Sequence, residues 1–317
     1  MPDSNTSLLP RLIVLVGPTA VGKTELAIQL AENIQAEIIS ADSRLFYTGM
    51  DIGTAKPTTL DRQRVRHHLI DVTPPDETWS LAVFQEAAHC AIKEILDRQH
   101  LPMLVGGTGQ YIRAVTEGWH APAVVPDPAL RQVLSRLAEE IGVQGLHQRL
   151  ALLDPEAAAN IDFRNVRRTV RALEVILTSG KRFSAQRQRS SSPYHILMLG
   201  LTRPRAELYA RIDARVQNML ASGWVDEVRA LLAVGYSPDL PAFSAIGYRE
   251  IIAHLQGEIT LDEAVALICR QSRVFVRRQA NWFKLNDPNI HWVQADDETL
   301  PKMLQLIRDW FQPTKKI

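Results

Sequence analysis

Leu12-Ile13-Val14-Leu15-Val16-Gly17-Pro18-Thr19-Ala20-Val21-Gly22-Lys23-Thr24 decides the fold. The apolar run 12–16 reads as a buried parallel strand, and 17–24 satisfies G-x-x-x-x-G-K-[ST] at every required position. In residues 25–32, Leu26 with Leu30 and Ala27 with Ala31 recur at helical spacing. Strand, glycine-bounded loop and helix in that order make a phosphate cradle. Glycines let the backbone wrap an anion, the helix N-terminus aims N–H groups at it, and Lys23 adds a point charge. The Thr24 hydroxyl suits Mg²⁺. Gly17, Pro18, Thr19, Ala20, Val21, Gly22, Lys23 and Thr24 are therefore expected to hold a di- or triphosphate.

Outward from the cradle, the chain keeps alternating strands and helices. Glu37-Ile38-Ile39-Ser40-Ala41-Asp42 is a short strand whose polar end faces the ligand crevice of an open parallel sheet. Residues 80–98 form an amphipathic helix, capped by Ser80, with Phe84, Ala88, Ile92 and Leu96 along one stripe. Leu101-Pro102-Met103-Leu104-Val105 is a further buried strand that breaks into Gly106-Gly107-Thr108-Gly109. The fold class is α/β, a phosphate-loop, kinase-like parallel sheet flanked by helices.

The texture then changes. Ala121-Pro122-Ala123-Val124-Val125-Pro126-Asp127-Pro128 is a proline-rich linker, and 129–179 reads as helices without strand signal. Strand character returns at 194–201, behind a hinge-like Ser190-Ser191-Ser192-Pro193. An all-helical insertion, 121–192, thus interrupts a core made of 1–120 and 193–317. Long amphipathic helices are expected at 205–222, 225–234 and 261–283.

Composition narrows the class. With 317 residues and 46% hydrophobic content the chain buries an ample core. Lys+Arg 36 against Asp+Glu 35 leaves a net charge of +1, so no global basic signature announces nucleic acid. Cys90 and Cys269 both lie in apolar helical stretches and read as small buried hydrophobes in a reducing compartment. Residues 1–10 lack the basic and apolar regions of a signal peptide, and no apolar run approaches a membrane span. A cytoplasmic protein without a membrane partner is expected.

Three constellations carry chemistry. Asp42 ends its strand beside the phosphate loop, where a carboxylate can hold a metal or take a proton from a nucleophile. A kinase normally offers a second strand-end carboxylate for Mg²⁺. Here the strand ending at Val105 delivers Gly106-Gly107-Thr108 instead. Charge in the insertion is lopsided: between 160 and 190, Arg164, Arg167, Arg168, Arg171, Lys181, Arg182, Arg187 and Arg189 face only Asp162 and Glu174. Arg164, Arg167, Arg168 and Arg171 fall at i, i+3, i+4 and i+7, so one helix face is expected to be guanidinium and to track a phosphate backbone. A second basic patch comprises Arg270, Arg273, Arg277, Arg278 and Lys284, with Gln279, Trp282 and Phe283 interleaved. His67-His68 does not suggest a metal, because adjacent side chains point apart.

Together these motifs resemble the tRNA dimethylallyltransferases, also called tRNA isopentenyltransferases, in the short bacterial form. Further marks are Met50-Asp51-Ile52-Gly53-Thr54-Ala55-Lys56-Pro57, His68-Leu69-Ile70-Asp71, Gly106-Gly107-Thr108-Gly109-Gln110-Tyr111, Arg171-Ala172-Leu173-Glu174-Val175, Ile246-Gly247-Tyr248-Arg249 and Arg277-Arg278-Gln279 before Trp282-Phe283, in family order over nearly the whole chain. The resemblance implies transfer of a dimethylallyl group from dimethylallyl diphosphate to the exocyclic amine of the adenosine immediately 3′ of the anticodon. It implies Asp42 as general base, with Thr19, Lys23, Thr24 and Arg215 around the diphosphate and Mg²⁺ on Thr24. Contacts to tRNA are implied for Asp42, Ser43, Arg44 and Leu45, for Thr108, and for Arg131. They are implied also for Arg167, Arg168, Thr169, Val170 and Arg171, for Ser244, Gly247, Tyr248 and Arg249, and for Arg278 and Gln279. A monomer is expected. Two other readings stay open: a small-molecule phosphate-loop kinase, which leaves the basic insertion without a task, and a non-catalytic tRNA-binding protein, which leaves the loop and Asp42 without one.

Overall fold

A computed structural model describes residues 9–118, 122, 124–186 and 191–312. Parts of the linker (Ala121, Ala123), of the hinge (Ser190) and of the basic stretch (Arg187, Arg189) lie outside them. In chain order the elements are β1 (Arg11–Val16), α1 (Lys23–Ile34), β2 (Ala36–Ser40), α2 (Thr59–Arg64), β3 (His67–His68), α3 (Leu81–Asp97), β4 (Leu101–Gly106) and α4 (Gly109–Thr116). Then come α5 (Pro128–Leu153), α6 (Pro155–Asn160), α7 (Val166–Ser179), β5 (His195–Thr202), α8 (Arg205–Ala221) and α9 (Trp224–Ala233). The chain continues through α10 (Tyr248–Leu255), α11 (Leu261–Trp282), β6 (Ile290–Gln294) and α12 (Thr299–Phe311).

The six strands form one sheet in the order β3-β2-β4-β1-β5-β6, and every pairing is parallel. Parallel neighbours need crossovers, which the helices supply on both faces. The two faces can be read from β1, where side chains alternate. Ile13 and Leu15 pack with Leu26, Leu30 and Ile212 on the α1 and α8 side. Leu12, Val14 and Val16 pack with Phe84, Ile92 and Ile112 on the α3 and α4 side. This two-sided burial is why the strand is an unbroken apolar run.

The chain folds into two compact units, Met1–Thr116 with Ser192–Ile317, and Glu117–Ser191. The second unit has its own apolar core, in which Leu134, Leu146 and Leu150 of α5 meet Val170, Leu173 and Val175 of α7. Its described elements are helices, without a strand, and Gly142 kinks α5 at φ 77. Ser80 caps α3 by accepting the Val83 N–H, as its sequence predicts. Cys90 departs from expectation: it is exposed on α3, while Cys269 is half-buried. Position 90 falls off the Phe84–Ala88–Ile92 stripe, so helix geometry turns it outward. No helix among the described residues is long and apolar enough to cross a membrane.

Candidate active site

β1 stops at Val16 and releases the chain into the glycine-bounded loop, and α1 begins at Lys23. Gly22, with φ 108, occupies the left-handed position that turns the loop into the helix. The Lys23 ammonium folds back over the loop, donating to the carbonyls of Gly17 at 2.9 Å and Pro18 at 2.7 Å. Two arginines brace the loop from α8 and the residues before it. Arg203 Nε donates to the Val21 carbonyl at 3.0 Å, and Arg211 Nε to that of Ala20 at 2.7 Å. Residue spacing gives no sign of Arg203, because its partner lies most of the chain away.

Asp42 follows β2 at the same edge of the sheet. Its Oδ1 accepts the Arg44 N–H at 3.0 Å, which orients the carboxylate. Two cavities meet at Asp42. The larger, of about 790 Å³, is lined by Thr19, Asp42, Ser43, Arg44, Thr108, Arg215, Ser244, Arg278, Gln279 and Trp282, with apolar Ile212, Val216, Met219 and Phe275. The smaller, of about 70 Å³, is lined by Lys23, Thr24, Asp42 and Leu45. The electrostatics agree with this geometry. Burial pulls the Lys23 ammonium down to about 8, Asp42 opposes that shift, and Arg215 adds to it. The Arg215 guanidinium is likewise lowered by burial and held up by Asp42. One carboxylate thus faces two cations, each of which gains from a further anion.

Beside this centre the stretch 51–57, of which Gly53 and Thr54 line the large cavity, is held by ion pairs and backbone hydrogen bonds. Lys56 is buried and paired with Asp51 and, at 2.5 Å, with Asp71. Glu227 of α9 accepts the backbone N–H groups of Asp51 at 2.8 Å, Ile52 at 2.6 Å and Gly53 at 3.2 Å, and the Tyr248 hydroxyl at 2.7 Å. Glu227 is a supporting residue that sequence reasoning misses, since an acid in the first turn of a helix reads as a dipole partner.

Several expected RNA contacts have other surroundings. Tyr248 is fully buried, and burial together with the Glu227 bond drives its hydroxyl pKa upward. Gly247 packs against the Trp224 ring. Gln279 is buried, with both polar atoms of its amide engaged. Ser244, Arg249 and Arg278 are exposed, and Ser244 and Arg278 line the large cavity.

In the insertion, Thr169 and Val170 are buried. Arg171 donates to Glu174 at 2.6 Å, and Arg131 grips the same carboxylate through two bonds of 2.9 Å. Glu174 itself is fully buried; burial raises its carboxyl, but Arg131 first and then Arg171 outweigh that and hold it low. Arg164 precedes α7, whose N-cap is Asn165, and pairs with Asp162 at 2.6 Å. The continuous face of four guanidiniums is therefore not formed. Arg167 and Arg168 remain, exposed and without a carboxylate partner among the described residues. In the second patch, Arg273 pairs with Asp213 at 2.6 Å, whereas Arg270 and Arg278 have no such partner among those residues.

No group of three or more His, Cys, Asp or Glu suited to a metal occurs among the described residues. His68 instead contacts Glu37 at 2.6 Å, and His67 the Val65 carbonyl at 2.8 Å.

The family model described as IPP transferase matches residues 45–286. A tRNA dimethylallyltransferase of Roseiflexus sp. (strain RS-1) is 51% identical over 94% of this chain and 98% of its own length. The crystal structure of the full-length tRNA isopentenylpyrophosphate transferase from Bacillus halodurans is similar, with a TM-score of 0.71 and 41% identity, over 95% of this chain and 96% of that one. A eukaryotic dimethylallyltransferase solved while acting on tRNA shares the fold, with a TM-score of 0.82 at 24% identity, over 97% of this chain and 81% of that one. The family model covers most of the chain, a relative is half identical over nearly its whole length, and the chain belongs to the IPP transferase family.

Proposed function

We propose that this enzyme transfers the dimethylallyl group of dimethylallyl diphosphate to the exocyclic amine of the adenosine immediately 3′ of a tRNA anticodon. The observation that carries this reading is Asp42, which lines both the large cavity and the small one holding Lys23 and Thr24. The diphosphate would lie on the phosphate loop and against Arg215. A flipped adenine would enter the large cavity past Ser43, Arg44 and Thr108, since a stacked base cannot be reached. The amine nitrogen attacks the first prenyl carbon. Its N–H proton goes to Asp42, and the C–O electron pair leaves with the diphosphate. Loop N–H groups, Lys23 and Arg215 stabilise the charge gathering on that leaving group.

Thr24 offers a hard oxygen donor suited to Mg²⁺, with diphosphate and water completing the shell. When bound, the ion would offset charge on the leaving group. A monomeric, cytoplasmic enzyme fits this reading.

Heat protection tests it. Dimethylallyl diphosphate with Mg²⁺ is expected to raise the melting temperature and to compete with ATP. ATP turnover to ADP with a phosphorylated product and no prenyl transfer would favour a kinase.

The pH profile follows from Lys23. A diphosphate binds the protonated ammonium, so the competent fraction of the empty site falls as pH rises through about 8. We predict that kcat/KM for the donor declines above that pH, and that Lys23→Arg, which stays charged, removes the decline. A flat profile in the parent enzyme would contradict the assignment.

The insertion yields a contrast. Arg167→Ala with Arg168→Ala should weaken tRNA binding and flatten its salt dependence by about one log–log unit for each phosphate no longer neutralised. Thermal stability and donor binding should not change. Arg171→Ala should instead lower stability, because it strips a partner from buried Glu174. Unaltered affinity and slope in the double variant would mean that the two arginines are merely solvated.

A further inference from the structure

Gln279 sits on α11, almost fully buried, and its side-chain amide joins two loops. Its Oε1 accepts the Thr19 N–H of the phosphate loop at 2.8 Å. Its Nε2 donates to the carbonyl of Gly107, just past β4, at 3.2 Å. One partner is a donor and the other an acceptor, so the orientation of the amide is fixed by chemistry. Among side chains of this length only glutamine does both; glutamate accepts only and lysine donates only. Gly107 is matched to it: a Cβ there would lie 2.2 Å from Gln279 Nε2.

The bridge touches the loop at a sensitive place. Thr19 directly follows Gly17 and Pro18, whose carbonyls hold the Lys23 ammonium. The same helix also presents Arg270, Phe275, Arg278 and Trp282 to the large cavity. We propose that Gln279 is a positioning residue that couples α11 to the phosphate loop, so that RNA engaging the arginines of α11 tightens the grip on diphosphate. This rests on the reading above, in which the large cavity receives RNA. Any displacement of α11 must move the amide, and losing the bridge leaves buried polar groups without partners. The Val16–Gly106 pairing of β1 with β4 sets where the two loops begin, and the amide fixes Thr19 against Gly107 beyond it.

The test measures binding rather than turnover. Inorganic diphosphate with Mg²⁺ is titrated calorimetrically into the full chain, with and without an unmodified anticodon stem–loop RNA. In the parent enzyme the RNA is expected to tighten diphosphate about tenfold, with the reciprocal effect on RNA. Gln279→Leu removes both polar atoms, and Gly107→Ala pushes the amide away; each should bring the ratio close to one. Gln279→Glu, which keeps only the Thr19 bond, should give an intermediate ratio. A parent ratio of one overturns the proposal even if every variant misfolds. It is also overturned if folded variants bind diphosphate more weakly by the same factor with and without RNA, because Gln279 then only supports the loop. A parent enzyme that shows coupling but transfers no dimethylallyl group would contradict the proposed function and leave the coupling standing.

Discussion

Asp42→Asn lowers the single-turnover rate of prenyl transfer by about 100-fold or more, while tRNA affinity stays near the parent value. Asparagine keeps the shape of the side chain and can still accept the Arg44 N–H that orients Asp42 now. It cannot take a proton. An adenine amine is a poor nucleophile until it loses one, so the loss falls on the chemical step. The substitution also removes the negative charge facing Lys23 and Arg215. Donor binding therefore holds or tightens, and the defect appears in kcat rather than KM. Rapid-quench transfer assays with saturating RNA, beside filter binding, separate the two. A variant whose RNA binding collapses while its single-turnover rate survives would reassign Asp42 to recognition.

Lys23→Ala costs about 2–4 kcal/mol of transition-state stabilisation, or roughly 30- to 1000-fold in kcat/KM. The ammonium rests on two loop carbonyls, from which it is expected to swing to the diphosphate as charge builds on the bridging oxygen. Alanine removes that cation and frees the carbonyls of Gly17 and Pro18 to repel the anion. A rate within about threefold of the parent would leave the loop amides and Arg215 as the main anion stabilisers.

The parts of this molecule that the sequence states openly are those encoded by local chemistry. The loop 17–24 is legible because its glycines, lysine and threonine sit at positions fixed by backbone geometry. Asp42 is legible because an apolar strand breaks into polar residues where a parallel sheet presents its crevice. The helical insertion announces itself by proline punctuation and the loss of strand pattern. What stays hidden depends on long-range packing. Gln279 reaches Thr19 across 260 residues, so it reads as part of a basic patch and not as a bridge. Glu227 has no local mark that it holds the backbone at 51–53. The arginine face fails for two physical reasons. Arg164 lies ahead of the Asn165 cap, where helical periodicity does not apply, and the acid paired with Arg171 is buried beneath it. The short strand β6 escapes notice because an edge strand of five residues carries too few apolar positions to stand out.

Prenyl transfer itself is tested most directly by the mass of the product nucleoside. Unmodified tRNA is incubated with the enzyme, dimethylallyl diphosphate and Mg²⁺, digested to nucleosides and weighed by mass spectrometry. One adenosine is expected to be heavier by a single dimethylallyl group in place of hydrogen, located immediately 3′ of the anticodon and formed about 100-fold or more slowly with Asp42→Asn. Nucleosides of unchanged mass, in tRNA that the enzyme demonstrably binds, would contradict dimethylallyl transfer as its activity.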